Sequence, residues 1–293
     1  MQIAIDPSAG FCFGVRNAIA RAETLLSDGG KLLSLGEIVH NQTEVQRLTE
    51  KGLKVVDHDE FEQLRNCNVL IRAHGEPPST YETAESNNIQ LVDATCPIVR
   101  RLQNIIAQQY QVMATTGGQV VIFGKPDHPE VVGLNGRVCG RAVIVQSYND
   151  IKKINPQREV HLFAQTTMNP ADYESIVLLI RDYLMENNPD ASNLLHVHRT
   201  ICRQVTNRIE VLKKFSSQHD VVIFVSGRNS SNGKFLFGIC QQVNPSAIWI
   251  SHLEDISVSM VAGANSVGIT GATSTSLTQL EAVADYLRKL TEQ

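Results

Sequence analysis

Short apolar runs recur along the chain at 32–35, 120–123 and 221–225, the last two mostly β-branched, and each gives way to a polar loop. Runs of this length and composition read as strands covered on both faces, as in a parallel sheet. Each third carries a later strand signal, beginning at Val69, His161 and Val267 and again ending in polar residues. Between the strands the apolar positions take a helical period, as at 41–51, 171–187 and 277–292. Such alternation predicts right-handed βαβ units around parallel sheets, an α/β fold.

Three cysteine segments align without gaps: Cys12-Phe-Gly-Val15, Cys96-Pro-Ile-Val99 and Cys202-Arg-Gln-Val205. Each follows an extended stretch (3–6, 91–95, 196–201) and leads into a helical pattern, which predicts each cysteine at a strand-to-helix junction. Pro97 falls where the first helical residue would be, a position that tolerates proline. The first polar loop lies 28, 32 and 28 residues beyond the cysteine, at His40, His128 and Ser230. The second lies 62, 70 and 72 residues beyond it, at His74, Thr166 and Ser274. Offsets kept so closely in three stretches mark an internal repeat.

The repeat predicts three similar α/β domains with parallel sheets, at 14–97, 98–201 and 202–281, in a pseudo-threefold trefoil around a central cluster cavity. The third copy lacks a strand at its C-terminal end, and the strand at 2–6, within 1–13, is assigned to complete it. Residues 282–293 read as a short C-terminal helix end and tail. Ligands of open parallel sheets bind beyond the carboxyl ends of the strands, so the cysteines and polar loops would face the same cavity.

Composition narrows the function classes. The net charge is −4, with no polybasic block, and aromatic residues make up 5% of the chain with a single Trp, Trp249. Neither nucleic-acid nor membrane-surface binding is supported by that balance. No apolar run is long enough to cross a bilayer, and the chain opens on a strand pattern rather than a leader, so the expected location is the cytosol. The six cysteines are dispersed, without a Cys-x-x-Cys pair. In a reducing compartment, cysteines with a purpose are ligands or nucleophiles rather than disulfide partners.

Three thiolates from the repeat suit a [4Fe–4S] cluster that keeps one iron without a protein ligand, the open-position logic of catalytic metal sites. A helix N-terminus favours the thiolate. Cys67, Cys139 and Cys240, outside the repeat, are read as packing residues. His40, Asn41, His74, His128, Ser230, Ser231, Asn232 and Ser274 are mostly donors at strand ends that lead into helices, an arrangement suited to phosphate. Glu130 reads either as a first-turn glutamate favoured by the helix dipole or as a proton donor or relay. His196 and His198 share one strand face and, with no third ligand in evidence, are read as structural. There is no dinucleotide or Walker fingerprint, so electrons are expected from a partner protein.

Taken in order, Gly10-Phe-Cys12-Phe-Gly-Val15, Val39-His40-Asn41, Ala73-His74-Gly75, Asp93-Ala-Thr-Cys96-Pro97, His128-Pro-Glu130, Gln165-Thr166-Thr167 and Asn229-Ser-Ser-Asn232 closely resemble the 4-hydroxy-3-methylbut-2-enyl diphosphate reductases. The resemblance implies the last step of the methylerythritol phosphate route of isoprene biosynthesis, a reductive dehydroxylation giving isopentenyl and dimethylallyl diphosphates. It implies a cluster on Cys12, Cys96 and Cys202, and a diphosphate held by His40, His74, His128, Ser230, Ser231, Asn232 and Ser274. Thr166 would position the hydroxyl end, Glu130 would supply the proton with His128 on its path, and reduced ferredoxin or flavodoxin would be the donor. Two stretches depart from the family pattern. An Ala-Thr expected after the third cysteine is replaced in Cys202-Arg203-Gln204-Val205, leaving Thr206 as the nearest hydroxyl, and the loop around Ser274 reads Thr275-Ser276 where a proline is usual. The competing readings are a quinolinate-synthase-like three-cysteine cluster enzyme and a non-enzymatic iron–sulfur sensor.

Overall fold

The computed structural model describes residues 1–27 and 30–291. The chain forms three parallel four-stranded sheets with helices between the strands, an α/β architecture. By contact it divides into two units, one of Met1–Lys31, Glu37–Lys54 and Arg203–Gln293, the other of Leu32–Gly36 and Val55–Cys202.

In the first unit the strands are β1 (Gln2–Ile5), β10 (Val221–Val225), β11 (Ala247–Ile250) and β12 (Ser266–Gly271), in the order β1-β12-β10-β11. The N-terminal strand pairs parallel with β12, Gln2 opposite Ser266 through Ile5 opposite Ile269. One face of the sheet packs Ile223, Val267 and Ile269 on Leu280, Val283 and Leu287 of α11 (Leu277–Thr291). The other packs Val222 and Phe224 on Leu212 of α9 (Arg203–Ser216) and on Leu236 and Cys240 of α10 (Ser231–Val243). A sheet covered on both faces explains strands that are apolar throughout. The unit also holds α1 (Phe13–Ser27) and α2 (Gln42–Glu50). Of the expected 277–292 helix and 282–293 tail, residues 292–293 lie outside the described residues.

The second unit holds two sheets. The order β3-β2-β4-β5 is built from β2 (Leu32–Leu35), β3 (Leu53–Val56), β4 (Asn68–Ile71) and β5 (Gln90–Asp93), with α3 (His58–Gln63) and α4 (Pro78–Ser86). The order β7-β6-β8-β9 is built from β6 (Gln119–Phe123), β7 (Val143–Val145), β8 (Val160–Ala164) and β9 (Leu195–Val197). On this second sheet α7 (Tyr148–Ile151) and α8 (Pro170–Asn187) cover one face, and α5 (Pro97–Thr116) and α6 (Pro129–Gly136) the other. The edge strands β3, β7 and β11 were not expected from the pattern: three or four residues at an edge leave too short an apolar run to stand out.

Gly36 shows why one backbone position is fixed. Its φ is +73°, and a β-carbon there would lie 2.4 Å from Nη1 of Arg72, so the buried guanidinium occupies the space a side chain would need.

A buried ion pair ties the N-terminal strand into its sheet. Asp6 and Arg208 are 1% and 6% exposed, with Nη2 of Arg208 at 2.7 Å from Oδ2 of Asp6. Thr270 on β12 donates its hydroxyl to Oδ2 at 2.8 Å, Ser8 donates to Oδ1 through its amide and its hydroxyl at 2.9 and 2.7 Å, and Arg208 also reaches Ser8. Burial alone would raise the Asp6 pKa, but the bonds and charge of Arg208 and the Ser8 donors outweigh it and hold the carboxyl below its ordinary 3.8. The pair's contribution is therefore complete at neutral pH and is lost only as pH falls through the lowered value. Asp6→Ala leaves a buried guanidinium without its partner and should cost about 3–5 kcal/mol in denaturant unfolding at pH 7, whereas Asp6→Ala with Arg208→Met should recover most of it. A loss below about 1 kcal/mol for the single variant would show that β1 is held by sheet pairing alone.

Candidate active site

Each repeat-matched cysteine sits between an edge strand and a helix. Cys12 immediately precedes α1, Cys96 is the N-cap of α5 with Pro97 in the first helical position, and Cys202 immediately precedes α9. The backbone N–H of each donates to a carbonyl just past the end of the neighbouring strand: Cys12 to Thr273 at 3.1 Å, Cys96 to Ala73 at 3.0 Å and Cys202 to Thr166 at 2.9 Å. The repeat is thus carried into hydrogen bonding. It also corrects the alignment of the second polar loops by one residue: Thr273 and Ala73, not Ser274 and His74, stand where Thr166 does.

The first polar loops supply helix caps. Asn41 Oδ1 accepts the Glu44 amide at the start of α2, His128 Nδ1 accepts the Glu130 amide at the start of α6, and Ser230 Oγ accepts the Gly233 amide at the start of α10. For His128 this bond fixes the tautomer: Nδ1 accepts, so the neutral ring carries its proton on Nε2.

In the second unit, Glu130 is 1% exposed, and Thr166 faces it with two donors. The Thr166 amide donates to Oε1 at 2.6 Å and its hydroxyl to Oε2 at 2.7 Å. Since the Thr166 carbonyl accepts the Cys202 amide, Glu130, Thr166 and Cys202 form one chain of bonds. Burial pushes the Glu130 carboxyl up to about 7, against the smaller lowering effect of the Thr166 donors. Gln165, fully buried, braces the loop: its amide donates to the Phe123 carbonyl and its side chain accepts the Lys125 amide. The His74 and His128 rings meet edge to face, centroids 5.1 Å apart.

In the first unit, the Thr273 amide and hydroxyl donate to Oδ1 of Asn232 at 3.1 and 2.9 Å. Thr273 therefore repeats the role of Thr166, and Asn232 stands where Glu130 does, the second residue of its helix. Nδ2 of Asn232 is buried with no hydrogen-bond partner among the described residues, a donor left over in a protein interior that ordinarily satisfies such groups. Ser230 Oγ lies 3.4 Å from Ser274 Oγ, and Asn41 Nδ2 donates to the Ser274 carbonyl at 2.8 Å. Ser231 opens α10, and the His40 ring lies 3.9 Å from the Glu37 carboxylate. A β-carbon on Gly227 would come within 2.8 Å of the His40 carbonyl oxygen, so this loop requires glycine there.

The donor set fits an iron–sulfur cluster by its chemistry. Cys12, Cys96 and Cys202 are partly exposed at helix starts, where a thiolate is favoured. By contrast burial raises the thiols of Cys67 and Cys240, the latter to about 11, and Cys240 packs in the apolar core. Thr206, the nearest hydroxyl after the third cysteine, donates to the Arg203 carbonyl of its own helix. Thr273 is a site residue that the sequence reading does not single out; its signal is the Thr shared by the Gln165-Thr166 and Ala272-Thr273 loops.

The family model described as LytB protein matches residues 3–288. The chain belongs to that family. It is 43% identical over 288 residues to the 4-hydroxy-3-methylbut-2-enyl diphosphate reductase of Bacteroides fragilis, covering 98% of each chain. Against the same-named protein of Porphyromonas gingivalis it is 46% identical over 292 residues and covers 99% of each. The solved structure of (E)-4-hydroxy-3-methyl-but-2-enyl diphosphate reductase, the terminal enzyme of the non-mevalonate pathway, superimposes with a TM-score of 0.73 at 31% identity over 99% of this chain and 100% of that one. The corresponding Plasmodium falciparum structure, at 24% identity, shares the fold with a TM-score of 0.83 over 97% of this chain and 87% of that one. LytB-family membership thus spans all three sheets.

The raised Glu130 pKa has a consequence for stability. The folded protein keeps this proton where the unfolded chain, with the ordinary value of 4.5, releases it. The protonated carboxyl's contribution is full below pH 4.5 and declines as pH rises through about 7, a loss of order 3 kcal/mol. Unfolding free energies of the wild type and Glu130→Gln, measured from pH 4.5 to 8, should diverge by that amount, with the variant flatter. Parallel curves would mean that Glu130 titrates normally.

Proposed function

We propose that this LytB-family chain reduces 4-hydroxy-3-methylbut-2-enyl diphosphate to isopentenyl and dimethylallyl diphosphates, consuming two electrons and two protons and releasing the hydroxyl oxygen as water. The observation that carries the chemistry is the buried Glu130–Thr166 pair bonded to the Cys202 backbone. Cys12, Cys96 and Cys202 would hold a [4Fe–4S] cluster, and three thiol ligands leave one iron without a protein donor. When bound, that cluster supplies the electrons at a site open to the substrate hydroxyl. Reduced ferredoxin or flavodoxin is the proposed donor and the cytosol the proposed compartment.

A carboxyl near pH 7 in its pKa is matched to proton transfer at neutral pH. When Glu130 is protonated, its O–H donates to Thr166 Oγ, and the Thr166 hydrogen is released to point at the leaving hydroxyl. Proton loss from Thr166 Oγ to that hydroxyl, refilled from Glu130, gives water as the leaving group, and the second proton goes to carbon. Ser230, Ser231, Asn232 and Ser274, with His40, His74 and His128, are assigned to the diphosphate. The α10 N-terminus, two serine hydroxyls and the unpartnered Asn232 Nδ2 are donors suited to phosphate oxygens. We further read the chain as lobes 14–97, 98–201 and 202–281 closed by 1–13, since each sheet draws its strands from one of these stretches.

The test is anaerobic turnover of the hydroxylated allylic diphosphate with a chemical reductant after cluster reconstitution. Both five-carbon diphosphates should form; no product from protein with an intact cluster would overturn the reading. Glu130→Gln should retain iron and lower kcat by about 10²–10⁴. Cys96→Ser should lose cluster and activity together. Ser274→Ala should raise KM about tenfold with kcat little changed, the cost of one hydrogen bond to a charged ligand.

A further inference from the structure

The last two strands of the second unit carry a polar cluster that the reductase site does not use. His161 on β8 lies directly opposite His196 on β9 in the parallel register. Glu159 precedes His161 by two residues, and His198 follows His196 by two. Strand alternation therefore puts all four on one face of this edge pair. His196 Nε2 lies 2.7 Å from Glu159 Oε1, and His161 Nε2 lies 3.6 Å from the same oxygen. The three ligand atoms stand within 4.8 Å of one another. In a tetrahedral zinc site, ligand atoms 2.0–2.1 Å from the metal are about 3.3 Å apart, a value the two measured separations bracket.

The groups behind the ligand atoms are also in place. His161 Nδ1 lies 3.1 Å from His198 Nε2, so a ring binding metal through Nε2 can donate its other proton to His198. The His198 ring is held by Phe163, stacked at 4.3 Å and 9°. The second carboxylate oxygen of Glu159 is met by the Thr116 hydroxyl at 3.4 Å. His161 is 8% exposed while the His196 side chain is 43% exposed, so the group is anchored on one side and open to an entering ion on the other. His196 and His198 alone lack a third ligand; sheet pairing supplies two more donors, His161 and Glu159.

We propose that Glu159, His161 and His196 form a zinc site with His198 as its outer partner. The ion would clip the three-residue edge strand β9 to β8, upstream of the segment that leads to Cys202. Nitrogen and oxygen donors without sulfur distinguish it from any site made by the cysteines.

The experiment uses the cluster-loaded protein, titrated anaerobically with Zn²⁺ by calorimetry and examined by zinc X-ray absorption. One equivalent should bind with nitrogen and oxygen neighbours only. Both His196→Gln and Glu159→Gln should weaken it at least ~10-fold, and His198→Phe should weaken it about 10-fold. Added Zn²⁺ should raise the Tm of the wild type by a few degrees but not that of His196→Gln, a change at an exposed side chain outside the core. Sulfur in the zinc shell, or equal affinity in wild type and His196→Gln, would overturn the proposal. These readouts do not depend on turnover, so the reductase reading and the zinc site stand or fall separately.

Discussion

The amide of each repeat-matched cysteine is bonded to a carbonyl just past the end of the strand beside it, and the local geometry of the candidate site depends on that bond. It holds the short edge strands in place at their carboxyl ends and fixes where each following helix begins. A cysteine so placed has its backbone committed and its side chain at a helix start, where negative charge on sulfur is favoured. Parallel pairing makes this possible three times over, because it brings every strand's carboxyl end to the same edge of its sheet.

On that common frame, two copies have diverged in one functional respect. Thr166 and Thr273 make the same three bonds, an amide and a hydroxyl donated forward and a carbonyl accepting a cysteine amide. What they face differs. Thr166 meets a carboxyl whose pKa burial has raised to about 7, whereas Thr273 meets a carboxamide that cannot titrate and keeps a spare donor. A single change of side chain at the second position of a helix thus separates a titratable carboxyl from a carboxamide with a spare donor. The first copy places Ala73 at this point, with no hydroxyl to offer.

Burial pushes both of two equally buried carboxyls toward the neutral form, yet their net shifts are opposite. Asp6 and Glu130 are each 1% exposed, yet Asp6 is held below its ordinary pKa and Glu130 above it. Asp6 has a guanidinium and several donors, enough to overcome desolvation. Among the described residues Glu130 has two neutral donors from one threonine and no hydrogen-bonded cation, so desolvation prevails. One group is held as an anion; the other is held toward its protonated form.

The sequence by itself determined the α/β class, the inner strands, the repeat and the three cysteines, because buried strands and helix starts leave local patterns in composition and spacing. It also singled out Glu130, Thr166 and the serine loop, which lie at strand ends wherever such strands are drawn. Only the tertiary structure decided the rest. The sequence pattern assigns the N-terminal strand to the third copy, but the burial of Asp6 against Arg208 and Thr270 depends on contacts up to 264 residues apart. The exchange of Ser274 for Thr273 as the partner of Thr166 depends on which carbonyl a cysteine amide reaches, a one-residue distinction that offsets of several tens of residues cannot resolve. The pKa of Glu130 depends on what surrounds it, and the meeting of His161 with His196 depends on sheet register. Both are set by residues distant along the chain, and no local pattern encodes them.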